Sequence, residues 1–255
     1  MVPSFKNAAL ASALAILVWG AAFANAGDVS DIIFSIEAIN DEGTGYIEFD
    51  SSELVPGPSG SYTWNTGFHE IPDIFGDPIA ILDQATMTLV VNPDPDKPYR
   101  INVGFALHAG MSSTRFIVKT AQLTFPTIDA GYLVAPDGGG RATASLGVTD
   151  ENGDGVSLQG FGEVGIGAYR AQYNGFVPDG TTFASLVNEV SAGPGGSGSG
   201  SQTMPEGTGY ATIPDDVSDM SAIFDFTLTP NDSASSTTSY KILPEPSSAL
   251  GLIVL

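Results

Sequence analysis

The stretch Asp150-Glu151-Asn152-Gly153-Asp154-Gly155 fits the pattern D-x-N-x-D-G. Oxygen-bearing side chains at alternate positions can converge on a hard cation, and a Gly at the sixth position permits the sharp turn that such a loop needs. Asp150, Asn152 and Asp154 are therefore candidate ligands of a weak calcium site. The twelfth position of a calcium loop takes a bidentate Glu, but here it is Phe161, with Glu163 the nearest acid. The plainer expectation is a hairpin turn at Asn152-Gly153 between strands near 141–149 and 156–161.

Other chemistry-bearing residues are sparse. With no Cys, the chain has no thiol nucleophile, thiolate zinc site or disulfide. Its two histidines, His69 and His108, accompany no catalytic motif and are expected at the surface. Trp64 and Tyr62 could offer flat faces to sugar rings, although aromatic residues also fill sandwich cores. The many acids leave a carboxylate pair for polysaccharide hydrolysis conceivable without pointing to one. No nucleophile elbow, Walker loop or dinucleotide fingerprint is present, and no catalytic residue is assigned.

Charge excludes one partner class. Twenty-nine acidic residues against eight basic ones give a net charge of −21, and scattered Lys and Arg build no patch for nucleic-acid phosphates. A 42% hydrophobic content with 14 Phe and 8 Tyr still predicts a packed core. Alternation supplies the element type: Ile32, Phe34, Ile36 and Ala38 share a face, as do Ile101, Val103, Phe105 and Leu107, and Met220, Ala222, Phe224, Phe226 and Leu228. Further strands are expected at 46–50, 87–91, 114–125, 141–149, 156–161 and 166–173, with Gly, Pro, Asp and Asn between them.

Many short strands without intervening helices predict an antiparallel β-sandwich, jelly-roll-like or immunoglobulin-like, with a closed barrel as the alternative. Phe183, Leu186, Val187 and Val190 have helical spacing and suggest one short helix. The run 193–201 (GPGGSGSGS) reads as a flexible loop, and 231–239 (NDSASSTTS) as a last edge strand or a spacer. One domain is expected over 27–242.

Both ends carry addresses. Lys6, an apolar run over 8–23 and Ala24-Asn25-Ala26 form the three parts of an export signal, 1–26, with cleavage by signal peptidase after Ala26. Losing Lys6 takes the net charge from −21 to −22. At the other end, Pro244-Glu245-Pro246 precedes Ser247-Ser248 and an apolar run. This segment, 243–255, resembles the PEP-CTERM sorting signal of bacterial surface proteins. The resemblance implies recognition by an exosortase-type membrane peptidase, transient anchoring through the C-terminus, and delivery to the cell surface or an extracellular polysaccharide matrix. The apolar run over 249–255 would span roughly 10 Å of a hydrocarbon core about 30 Å thick, so the sorting helix is expected to be cut short. The reading is thus a non-enzymatic secreted surface or matrix protein. A carbohydrate-binding module is the first alternative and a polysaccharide hydrolase the second. No cofactor beyond calcium is expected. N-terminal sequencing of the exported protein should begin at Gly27; a start elsewhere would remove the export reading.

Overall fold

The computed structural model describes residues 27–91, 97–161, 166–175 and 179–245. Eighteen strands are found among them. In chain order they are β1 (Asp28–Val29), β2 (Ile32–Asn40), β3 (Gly43–Asp50), β4 (Val55–Pro56), β5 (Ser61–Thr66), β6 (His69–Pro72), β7 (Pro78–Val90), β8 (Tyr99–Ala109) and β9 (Thr114–Thr120). There follow β10 (Leu123–Ile128), β11 (Gly139–Thr149), β12 (Val156–Gly160), β13 (Tyr169–Tyr173), β14 (Thr181–Leu186), β15 (Glu189–Ala192), β16 (Ser197–Met204), β17 (Val217–Leu228) and β18 (Ser233–Leu243). Two antiparallel sheets pack as a sandwich, and the helices among the described residues are two single 3-10 turns.

Sheet A is organised around β17. One of its edges pairs with β9 over Ile223–Leu228 and with β10 further back, at Met220, Asp219 and Val217. Its other edge pairs with β13 over Met220–Phe224 and with β12 over Phe226–Leu228. The strand expected over 114–125 is thus real but broken at Ala121-Gln122, where the Thr120 hydroxyl takes over the ladder by accepting from the Ala222 N–H (3.0 Å). Sheet B runs β16-β11-β18-β8-β7-β5-β4, with β6 also on β7. The polar run 231–239 largely enters β18, an interior strand between β11 and β8, rather than an edge or spacer.

Alternation sorts side chains between core and surface, as a pleated strand requires. Ile101, Val103, Phe105 and Leu107 all point inward and are buried. Phe105 meets Phe224 of the facing sheet edge-to-face at 4.8 Å, a favoured aromatic geometry. Ile32 departs from its expected face: a bulge between Ile32 and Phe34 turns it out to 43% exposure.

Two expectations are corrected by local backbone geometry. The helical spacing of Phe183, Leu186, Val187 and Val190 belongs to β14 and β15, separated at Val187, whose φ is +58°. That break resets the alternation so that Leu186 and Val187 are both buried, and two strands in tandem imitate a helical stripe. The Gly/Ser run is largely β16, paired residue for residue with β11 from Ser197 to Met204. Its glycines face the end of sheet A: a Cβ on Gly200 would stand 3.1 Å from Val190 Cγ2 and 3.2 Å from Val187 Cγ1, and one on Gly198 would strike the Ser191 carbonyl. Composition suited to a linker is here a requirement of close approach.

On the outer side of β17, Asp225 is buried and ion-paired. Arg115 donates from Nε (2.9 Å) and Nη2 (3.0 Å), and Arg170 from Nη2 (3.3 Å). The Arg115 guanidinium also stacks 3.5 Å from the Phe161 ring centre. Phe224→Ala should cost about 3–5 kcal/mol of unfolding free energy, the range for emptying a fully buried aromatic site, measured by urea denaturation. A loss below about 1 kcal/mol would mean that the inter-sheet contact is not the packing centre.

Candidate functional site

At one end of the sandwich the chain crosses repeatedly between the sheets. The β8–β9, β11–β12, β15–β16 and β17–β18 connections all pass from one sheet to the other. Asp150 therefore opens a crossover, not a hairpin, because β11 lies in sheet B and β12 in sheet A. Four short connections must share one small region, and their backbone groups need partners.

Asp150 supplies many of them. Its Oδ1 accepts from the Gly153 N–H (2.8 Å), and Oδ2 accepts from Gly155 (3.0 Å) and Gly195 (2.5 Å), tying the β11–β12 and β15–β16 connections together. Asp232, fully buried, accepts from the Glu151 N–H (3.3 Å) and the Thr229 hydroxyl (2.5 Å), adding the β17–β18 connection. The Ala109 N–H donates to the Asp232 carbonyl and the Asn231 N–H to the Gly110 carbonyl, which brings in β8–β9.

One ligand oxygen from each of Asp150, Asp154 and Asp232 lies within 4.8 Å of the others. This trio keeps two of the three expected ligands. Asn152 does not join it, since its Oδ1 accepts from the Asp154 N–H (3.0 Å) and its Nδ2 donates to the Pro230 carbonyl (3.1 Å). Asp232 takes the role left vacant by Asn152 from 80 residues away along the chain. No local sequence pattern could have nominated it; the crossing of β17 to β18 does.

The two buried carboxylates titrate in opposite directions. Burial pushes the Asp232 carboxyl up, bonds from Thr229 and Glu151 oppose the rise, and the nearby Asp150 and Asp154 charges add to it. Its net elevation favours the neutral acid, so its contribution to stability is greatest in acid and is lost as pH climbs through the folded-state value. Burial would raise Asp150 as well, but the N–H groups of Gly195, Gly153, Gly155 and Asp154 outweigh it and hold the carboxyl low. That contribution is present at neutral pH and disappears as pH falls through the lowered value. A hard cation held by Asp154 and Asp232, with Asp150 close by, would relieve the repulsion in the trio.

The other sequence candidates do not converge here as catalytic groups. His108, half-buried, lies between Asp83 (Nε2 to Oδ2, 2.6 Å) and Glu151 (Nδ1 to Oε2, 3.4 Å). With a carboxylate at each nitrogen, neither is offered to a nucleophile. His69 occupies the other face of sheet B, bonded to the Thr66 hydroxyl at 2.6 Å and edge-on to Phe49. Trp64 is a correction: it is 3% exposed, packed on Phe34 and Phe49 at 5.2 and 4.9 Å, with its indole N–H on Glu53. Tyr62 is partly buried against the same core. Two residues apart on β5, both turn inward, so neither offers a sugar platform.

Pro244 and Glu245 continue directly from β18, and the Glu245 N–H donates to the Tyr132 carbonyl (2.7 Å). Pro246, the rest of the sorting segment and the export signal with Ala24 and Ala26 lie outside the described residues. No protein-family model matches this chain, and no curated protein matches it. A solved structure of the Gx strain of infectious bursal disease virus aligns over 87% of this chain and 80% of its own, at 7% identity and a TM-score of 0.21. A likeness that slight carries no argument.

In chelator, Asp154→Asn should raise the melting temperature slightly by removing one charge from the trio. Calcium, whose binding at a hundredfold excess over Kd adds about 2.7 kcal/mol of unfolding free energy, should raise the wild-type melting temperature more than magnesium does at equal ionic strength, and Asp154→Asn should abolish that difference. Equal gains from the two cations would reduce the trio to a screened acidic corner.

Proposed function

We propose that this chain is a non-catalytic, exported protein of the bacterial surface or extracellular matrix, delivered by an exosortase-type peptidase that reads Pro244-Glu245-Pro246. What carries the reading is the pairing of that motif with the export signal 1–26. The position of the motif supports it. Pro244 follows the last residue of β18, a strand paired along both edges with β11 and β8. A tail attached there transmits any pull into two full ladders in shear rather than peeling a terminal strand. The polar occupations of Asp150 and Asn152, and the capped nitrogens of His108, agree with a body built for display.

A second reading, binding of extracellular polysaccharide, is favoured by the outer face of sheet B. There the outward positions of β18 include Ser235, Thr237 and Ser239, and those of β11 include Thr143 and Ser145. A flat field of hydroxyls suits hydrogen bonding to sugar rings. Its aromatic platform is not Trp64 or Tyr62, so the binding rests on polar groups.

The test is fractionation. The full chain and its Glu245→Ala variant are expressed in a bacterium with an exosortase-type system, and the protein in membrane, surface and matrix fractions is quantified. The variant should lose most of its surface and matrix share. Identical distribution of the two proteins would end the sorting proposal.

A further inference from the structure

Seven basic residues lie between Gly27 and Glu245 in a strongly acidic chain. Arg115 and Arg170 are spent on Asp225, and the Arg141 guanidinium donates to the Gly207 and Gly209 carbonyls. Arg100 and Lys241 differ. They sit directly opposite each other on β8 and β18, outward on sheet B, and Arg141 lies directly opposite Lys241 on its other side. Like charges in opposite positions destabilise a sheet. Yet neither the Arg100 nor the Lys241 side chain makes an ion pair or hydrogen bond to a described residue, although acids outnumber bases more than threefold.

Two further observations point to a ligand. Arg100, Asn102, Thr143, Thr237, Ser239 and Lys241 line a shallow depression of about 360 Å³. Within this group, Arg100 Nε and Asn102 Oδ1 are both closed to solvent and both lack a partner. A donor and an acceptor left unpaired in one depression match a ligand that carries both an acceptor, most strongly an anionic oxygen, and an N–H or O–H donor. Burial, reinforced by the Arg100 and Arg141 charges, holds the Lys241 ammonium below the ordinary lysine range. Its cationic form is thus under-compensated in the free protein.

We propose that Arg100 and Lys241 bind the oxyanion group of an acidic sugar, a carboxylate or a sulfate or phosphate ester, while Asn102 and the surrounding Thr and Ser hydroxyls bond its ring hydroxyls. The planar guanidinium grips such a group through paired donors and the ammonium adds a point charge. A densely charged polyanion is repelled by the net charge of the chain, so the fitting ligand carries acidic groups sparsely among neutral hydroxyls. The Thr and Ser hydroxyls that surround the pair on β11 and β18 match the many hydroxyls of a sugar ring better than the single N–H per residue of an acidic peptide. The inference rests on the polysaccharide-binding reading of this face and adds the charge that the ligand must bear.

Isothermal titration of the full chain tests it with three probes: a uronic-acid oligosaccharide, its carboxyl-reduced counterpart and a sulfated oligosaccharide. Wild type should bind the acidic probes, the tighter one identifying the acid group. Arg100→Gln/Lys241→Gln should weaken acidic-probe binding at least tenfold while leaving the weaker binding of the reduced probe unchanged. The melting temperature of the double variant should stay level or rise, because a repelling pair has been removed. Equal binding of acidic probes by both proteins, no binding of them at all, or a marked fall in melting temperature would overturn the proposal. Neutral binding that survives alone would retain the polysaccharide reading without the charged site. Binding of an Asp/Glu peptide in place of any saccharide would end both.

Discussion

Both edges of β17 are filled, and every other strand of sheet A is hydrogen bonded to it directly or through one of the strands that it pairs with or their neighbours. Its inner face brings Phe224 and Phe226 to the core, while its outer face carries Asp225 between two guanidinium groups. A carboxylate buried on a central strand is costly unless several donors meet it. The two arginines meet it from β9 and β13, the strands flanking β17, so one charge cluster clasps three strands. The aromatic contact from Phe224 to Phe105 then fixes sheet A over sheet B.

The crossover end solves a different problem. Four connections leave backbone donors that the ladders cannot use, and Asp150 and Asp232 accept from donors in three of them. The same carboxylates bring Asp154 into a trio, so a structural clasp and a potential cation site are made of the same atoms. This explains why Asn152 fails as a ligand: its amide is consumed in closing the turn. The polar face of sheet B stands apart from that corner, and there the unsatisfied groups are cationic and amide rather than carboxylate.

Much of the fold was legible because buried and open positions alternate along β8 and because apolar residues recur at every second position from Met220 to Leu228 in β17. The failures have local causes. Val187 adopts a left-handed backbone and places two buried residues side by side, which imitates helical spacing. The Gly/Ser run of β16 has linker composition because Val187 and Val190 leave no room for side chains at Gly200. The acidic corner was half legible: Asp150 and Asp154 lie in one short motif, but Asp232 depends on the path of β17 into β18. The facing of Arg100 and Lys241 depends wholly on strand register, which no window of sequence contains. Trp64 was ambiguous by nature, since an aromatic residue on an alternating strand reads the same whichever side it faces.

The strands that complete the two sheets, β17 and β18, follow the other sixteen along the chain. Until residues 217–243 emerge, sheet A lacks the strand joining its two halves, and sheet B lacks the strand between β8 and β11. Hairpins such as β2–β3 and β7–β8 can pair early, but most contacts join residues distant in sequence, which makes closure of the two sheets slow and late. Because both sheets close only on their final strands, the polypeptide stays open and extensible until residues 217–243 are free to pair.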